Sequence, residues 1–276
     1  MIKPKTIYYQ KPEYICQVNE KSQYFPDNEK FIKEYKKNIA DHFRNSGLNI
    51  RLGTSIDVGA LNNFIRDNYQ IFGKDVVNDV SPYDIYRFAK FGNAIILEDD
   101  KSKLAGCIFE IGYDTPDRTS YTIRLAINSE IKGKNLGFSL LEYSCLLAME
   151  RGSLVKRGLM ETDNIASCNI LVNKMGWICD GFETYLHCGI DHGFTISLPL
   201  TAKGITTNRI DNNKLLNYIK HHKVEKDFLL IDVDDIEKLN RTYKKNEFWV
   251  VAVVKKGQIS NNDQFFALPV EELNIH

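Results

Sequence analysis

The residues best suited to chemistry lie in one stretch, Arg124-Leu125-Ala126-Ile127-Asn128-Ser129-Glu130-Ile131-Lys132-Gly133-Lys134-Asn135-Leu136-Gly137-Phe138-Ser139-Leu140-Leu141. An apolar strand runs into a glycine-containing turn, and the turn opens a long apolar helix. Such a turn aims several backbone N–H groups at one spot, at the positive end of the helix dipole. That combination binds phosphate groups. Gly133 and Gly137 let the backbone approach a ligand with no side chain in the way. Lys132 and Lys134 add positive charge without filling that space.

The run Lys132-Gly133-Lys134-Asn135-Leu136-Gly137 resembles the signature of the GNAT superfamily of N-acetyltransferases, Arg/Gln-x-x-Gly-x-Gly/Ala between a core strand and the main helix. Gly137 matches the last position. Lys132 stands where Arg or Gln is usual, and Asn135 replaces the first signature Gly; Asn is the next-best residue for left-handed backbone. Further along, Asp163-Asn164-Ile165-Ala166-Ser167 and Lys174-Met175-Gly176-Trp177 resemble the family's second cofactor segment. The resemblance covers residues 48–200. It implies an acyl-CoA pyrophosphate held by Lys132, Gly133, Lys134, Asn135, Leu136, Gly137 and Phe138, with Ser139 a further hydroxyl contact. It also implies a pantetheine arm against the backbone of Leu125 and Ile127, and against Asn164. Acetyl-CoA is the default co-substrate, with other acyl-CoA thioesters as the variant and no metal.

Acyl transfer to an amine needs the ammonium deprotonated, the thioester carbonyl polarised and the leaving thiolate protonated. Many family members carry a Glu base on the strand before the turn; the equivalent position here is Tyr121. The family's Tyr acid position is Val172. Three residues offer a substitute, Tyr121, Glu110 and His187, each with a purely structural alternative. Tyr121 serves equally as strand packing, and Glu110 as an exposed strand carboxylate. His187 belongs to the loop Leu186-His187-Cys188-Gly189-Ile190-Asp191-His192, whose spacing matches no standard metal motif. His192 is a second candidate base in that loop. Tyr143 has core spacing on its helix, and Cys168 is a weaker candidate acid.

These residues need an α/β scaffold. Helical spacing predicts helices at 28–43, 57–72, 81–90, 136–150 and 164–174, with Asp163 as the cap of the last. Strands are predicted at 48–53, 93–98, 104–113, 120–128, 155–161, 177–187 and 193–198. The order implies a GNAT-like mixed central sheet flanked by helices. An N-terminal extension at 1–47 precedes the acyl-CoA-binding domain at 48–200. A small C-terminal α/β accessory segment follows at 201–276, with a helix at 212–221 and strands at 228–232, 248–255 and 264–268. That tail could cap the cleft, pair subunits as a homodimer or bind a second partner.

Composition narrows the function classes. Thirty-six basic residues balance thirty-six acidic ones, which argues against a broad nucleic-acid footprint. No run approaches the length of a membrane span and the start has no signal-like apolar stretch, so a cytoplasmic location is expected. The six cysteines are scattered and read as reduced core residues. The chain therefore reads as an N-acyltransferase acting on an amine acceptor that the sequence does not identify. The alternatives are a non-catalytic GNAT-like acyl-CoA-binding or protein-interaction module, a long-chain N-acyltransferase using acyl carrier protein, and an α/β binding protein with an ordinary glycine turn.

Overall fold

A computed structural model describes residues 9–17, 28–70, 81–112, 116–131, 134–184, 192–200 and 208–275. In chain order the first elements are β1 (Tyr9–Gln10), α1 (Asn28–Arg44), β2 (Leu48–Leu52), α2 (Val58–Gln70), α3 (Pro82–Lys90), β3 (Ala94–Asp99), β4 (Leu104–Ile111), β5 (Thr119–Ile127) and α4 (Leu136–Glu150). They are followed by β6 (Val155–Glu161), α5 (Ile165–Cys168), β7 (Ile178–Glu183), β8 (Gly193–Pro199), α6 (Asn212–His221), β9 (Leu229–Asp232), α7 (Ile236–Lys245), β10 (Phe248–Val254), β11 (Gln264–Pro269) and β12 (Asn274–Ile275). The class is α/β, with sheet flanked by helices, as the alternating periodicities require. The chain packs as two compact units: one comprises residues 27–153 with 187–189, the other 1–26, 154–186 and 190–276.

In the first unit the strands run in the order β2-β3-β4-β5, each antiparallel to the next. Successive residues of β3 point to opposite faces. Ala94 and Ile96 join Leu61, Ile65, Ile85, Cys107, Phe109 and Ala126 in one core under α2 and α3, where Phe88 stacks on Phe109 at 5.1 Å. Each such aliphatic side chain contributes about 1.5–3 kcal/mol on burial. Ser81 caps α3 and Pro82 fills its first turn. A 3-10 turn at Ser55–Asp57 leads into α2 and starts from Thr54.

Helix α4 is buried over most of its circumference, from Leu136 to Ala148, which is why its sequence shows no polar stripe. Two contacts dock α1 against it: the Tyr35 hydroxyl donates to Glu142 Oε1 at 2.9 Å, and Lys36 pairs with Glu150 at 2.7 Å. The helix ends as expected, with Gly152 at φ +86.

The second unit carries the strand order β6-β8-β7-β10-β11-β9, again antiparallel throughout. Its main core gathers Ile178, Trp249, Val251, Phe266 and Leu268 with Leu215 and Tyr218 of α6. Tyr243 of α7 donates to the Cys179 carbonyl at 2.8 Å and accepts from the Val250 amide at 3.0 Å. Helix α7 was not anticipated: it is polar apart from Ile236, Leu239 and Tyr243, too short a stripe to declare itself. The C-terminal strands join the same sheet as β7. The Asn173 side chain reinforces that junction by bonding both the carbonyl and the amide of Val253, each at 2.8 Å.

Residues 9–17 form a strap on this unit. Tyr9 and Gln10 pair with Ile275 and Asn274, the Asp211 amide donates to the Ile15 carbonyl at 2.9 Å, and Tyr14 stacks on Tyr218 at 4.7 Å. Lys11 is 1% exposed and donates to the Val172 carbonyl at 2.6 Å. The helix expected at 164–174 departs from the sequence reading in two ways. Asn164, not Asp163, is its cap, accepting from the Ser167 amide. After α5 the turn widens to π geometry over Asn169–Lys174, with the Met175 amide reaching the Ile170 carbonyl. Gly176 closes it at φ +82.

Candidate functional site

The strand, turn and helix singled out by the sequence fold as β5, a connecting turn and α4. Leu125 of β5 pairs with Ile108 and Ile127 with Gly106 of β4. A Cβ on Gly106 would lie 2.6 Å from Ile127 Cδ1 and 3.2 Å from the Ala126 carbonyl oxygen, so a side chain there would displace the tip of Ile127. After β5, Asn128 starts a 3-10 turn at Ser129–Ile131. Its side chain accepts from the Glu130 amide at 3.0 Å and its carbonyl from the Ile131 amide at 3.1 Å. Lys132 and Gly133 lie outside the described residues.

Lys134 is exposed, and Asn135 adopts φ 58, ψ 14, the left-handed conformation that places it at the N-cap of α4. Its carbonyl accepts the first intrahelical bond, from Ser139 N–H at 3.0 Å. The amides of Leu136 and Gly137, ahead of that bond, have no carbonyl of their own helix to meet. They face out of the helix end where its dipole is positive. Gly137 is half-buried, and a Cβ on it would make ordinary contacts, 3.6 Å to Ile127 and 3.9 Å to Leu125. Phe138 is half-buried and Ser139 is buried at 8% exposure.

The pairing of β4 with β5 is interrupted by a bulge. Phe109 pairs with Arg124 but Glu110 pairs with Thr122, leaving Ile123 as the extra residue. Glu110 is fully buried. Its Oε1 accepts from Thr122 Oγ1 at 3.1 Å and from Ser144 Oγ of α4. The expectation of an exposed strand carboxylate at Glu110 is thus corrected: the residue lies beneath α4. Tyr121 is 36% exposed, opposite Ile111 at 38%. The Tyr143 ring lies 5.2 Å from Lys36 Nζ, a packing role.

The second segment places Asn164 on the surface with its carbonyl oxygen committed to the Ser167 amide. Cys168 is buried; its Sγ donates to the Glu161 carbonyl at 3.3 Å, and burial pushes the thiol up to about 12. That removes it as a proton donor of matched strength. Val172 is buried, its carbonyl taken by Lys11. His187 and Asp191 lie outside the described residues. His192 is described, and its Nδ1 lies 2.7 Å from Thr162 Oγ1. The sequence reading missed that partner, because a Thr thirty residues away carries no spacing signal. Among the described residues no group of three His, Cys, Asp or Glu stands where it could hold a metal ion, and no helix is long and apolar enough to cross a membrane.

No protein-family description matches the chain and no curated protein matches its sequence. Solved structures do match in shape. Nourseothricin acetyltransferase aligns over 39% of this chain and 65% of its own, at 20% identity and a TM-score of 0.36. The chain thus spans just under two thirds of that protein. The diaminobutyrate acetyltransferase EctA from Paenibacillus lautus, solved with L-2,4-diaminobutyric acid and coenzyme A, aligns over 56% of this chain and 96% of its own, at 16% identity and 0.42. The acetyltransferase-like yncA of Salmonella typhimurium, solved with acetyl-CoA, aligns over 56% and 94%, at 16% identity and 0.46.

Proposed function

We propose that the chain is a GNAT-type N-acyltransferase that moves an acyl group, acetyl by default, from acyl-CoA to an amine. The observation that carries this reading is the entry to α4. A left-handed Asn135 turns the chain so that the Leu136 and Gly137 amides face outward at a helix N-terminus, and Gly137 puts no side chain before them. In this reading the pyrophosphate lies on Lys132 to Phe138, with Lys134 supplying charge, and the pantetheine arm follows the backbone of Leu125 and Ile127.

The reaction is direct attack. The amine nitrogen bonds to the thioester carbon, a backbone donor of β5 stabilises the oxyanion, and the C–S bond breaks as the proton lost by the attacking nitrogen passes, directly or through water, to the departing sulfur, giving the amide and free CoA thiol. The ammonium proton must leave first, to Tyr121, His187 or water. Placing the acyl carbon beside the amine supplies most of the acceleration in such a scheme, which is compatible with Val172 and Tyr121 at the family's acid and base positions.

The test is calorimetric titration with acetyl-CoA and a long-chain acyl-CoA, repeated with Gly137→Glu. A carboxylate in the first turn favours the helix dipole by about 0.3–1 kcal/mol, so the variant folds. A like charge near the pyrophosphate costs about 3 kcal/mol at 5 Å and an effective dielectric of 20, or about a hundredfold in Kd. Binding to the parent chain and its loss in the variant is the expected result. The preferred chain length then names the donor. No binding of either thioester would sink the acyl-CoA reading and favour acyl carrier protein or a non-catalytic role.

A further inference from the structure

We infer that Glu110 is a positioning residue that holds β5 in its bulged register against α4, and is not the proton carrier of the reaction. The inference rests on the acyl-CoA reading for its functional consequence, but its geometry lies within β4, β5 and α4.

Leu125 sits on the α4 face of β5, since a Cβ on Gly137 would touch it. Strict alternation from Leu125 would send Thr122 to the opposite face. The extra residue at Ile123 reverses that, so Thr122 pairs directly with Glu110 and shares its face. There the Thr122 hydroxyl meets Glu110 Oε1, and so does the hydroxyl of Ser144, from the interior of α4. One oxygen therefore joins the strand just before the stretch Arg124–Ile127 to the helix whose N-terminus makes the cradle. Those two bonds favour the bulged register over the unbulged one on this face. A slip by one residue would exchange the faces of Leu125 and Ala126. At 0% exposure, Glu110 is also badly placed to exchange a proton with a substrate amine.

The two roles make opposite demands on Glu110→Gln. A glutamine keeps Oε1 and both hydroxyl donors, so the clamp survives, whereas a general base would be destroyed. Three variants are compared with the parent chain: Glu110→Gln, Glu110→Leu and the isosteric Thr122→Val. Each is read by acetyl-CoA titration, by titration with 3′-phospho-ADP, which has the phosphates but no arm, and by amide hydrogen exchange over Tyr121–Ile127 without ligand. Glu110→Leu, which leaves the Thr122 and Ser144 hydroxyls without their shared acceptor, is expected to weaken acetyl-CoA by about tenfold. It should weaken 3′-phospho-ADP much less and accelerate exchange in β5 selectively. Thr122→Val should follow in part, and Glu110→Gln should recover most of the affinity and protection. Should Glu110→Leu prevent folding, Thr122→Val and Glu110→Gln carry the comparison. Unchanged exchange and affinity in a folded Glu110→Leu or Thr122→Val would overturn the inference, as would a Glu110→Gln chain no better than Leu. If the parent chain binds no acyl-CoA but β5 exchange still follows this order, the clamp stands and the acyl-CoA reading falls.

Discussion

Replacing Gly176 with alanine should unfold the second unit under markedly milder conditions than the parent chain requires. Two costs add at this position. Gly176 has φ +82, where an L-residue is less stable by about 1–2 kcal/mol. Its new Cβ would lie 2.3 Å from Asn208 Cβ and 2.8 Å from the Asn208 carbonyl oxygen, and overpacking of this kind costs about 1–3 kcal/mol. The neighbouring backbone has little room to retreat. Ile210 N–H is tied to the Asn173 carbonyl at 2.8 Å, and the Arg209 carbonyl accepts from Gln17 at 2.9 Å. Alanine recovers about 0.4–1 kcal/mol by restricting the unfolded chain, leaving a net loss of about 1–4.5 kcal/mol. Both tryptophans, Trp177 and Trp249, are buried in this unit, so urea unfolding followed by tryptophan fluorescence reads it selectively. Gly257→Ala is the matched control: it lies in the same unit and shares a left-handed φ, +85, but its Cβ would meet nothing within 4 Å, so it should lose only about 1 kcal/mol. A Gly176→Ala midpoint within about 0.5 kcal/mol of the parent chain would show that the left-handed closure is not the constraint argued here.

Two more perturbations test other parts of the scaffold. Asn135→Ala should cost about 1 kcal/mol, because alanine tolerates the left-handed φ of 58 less well than asparagine does, while Asn135→Gly should cost nothing; thermal unfolding by circular dichroism distinguishes them. Lys11 is pulled down from 10.5 to about 8 by burial. Between those values the folded state has released a proton that the unfolded chain keeps, so stability must rise with pH in that window. The stability difference between the parent chain and Lys11→Met should therefore grow by about 3 kcal/mol from pH 8 to 10.5; a flat difference in fluorescence-monitored urea titrations would refute the burial of the ammonium.

The elements that carry the cradle were readable because local pattern and burial agree. The run from Arg124 to Ile127, the turn, and the apolar stretch 136–150 each announce themselves by period and by glycine placement, and β5 and α4 match their expected limits within a residue. What local pattern could not reveal depends on contacts distant in sequence. The bulge at Ile123 depends on a register with β4 that no window on β5 contains. The burial of Glu110 follows from Ser144, thirty-four residues away. The π turn at Asn169–Lys174 releases a carbonyl that only Lys11 explains. Helix α7 is held by the buried Leu239 and by Tyr243 reaching Cys179 and Val250, too little apolar surface to show as a stripe.

The strap at residues 9–17 has a consequence for how the protein is made. Its partners are Val172, residues 209–211, Tyr218 and the strand at 274–275, so residues 9–17 must wait for segments made much later. Residues 27–153, which supply all but three residues of the first unit, emerge as one block and can close their core during translation. The second unit is the late folder, since its longest loop closes only once β12 has been made and can pair with β1. Until then Ile15, Trp177 and the β7 edge remain uncovered, which makes the interval between synthesis of β6 and of β12 the period of greatest exposure to aggregation and proteolysis.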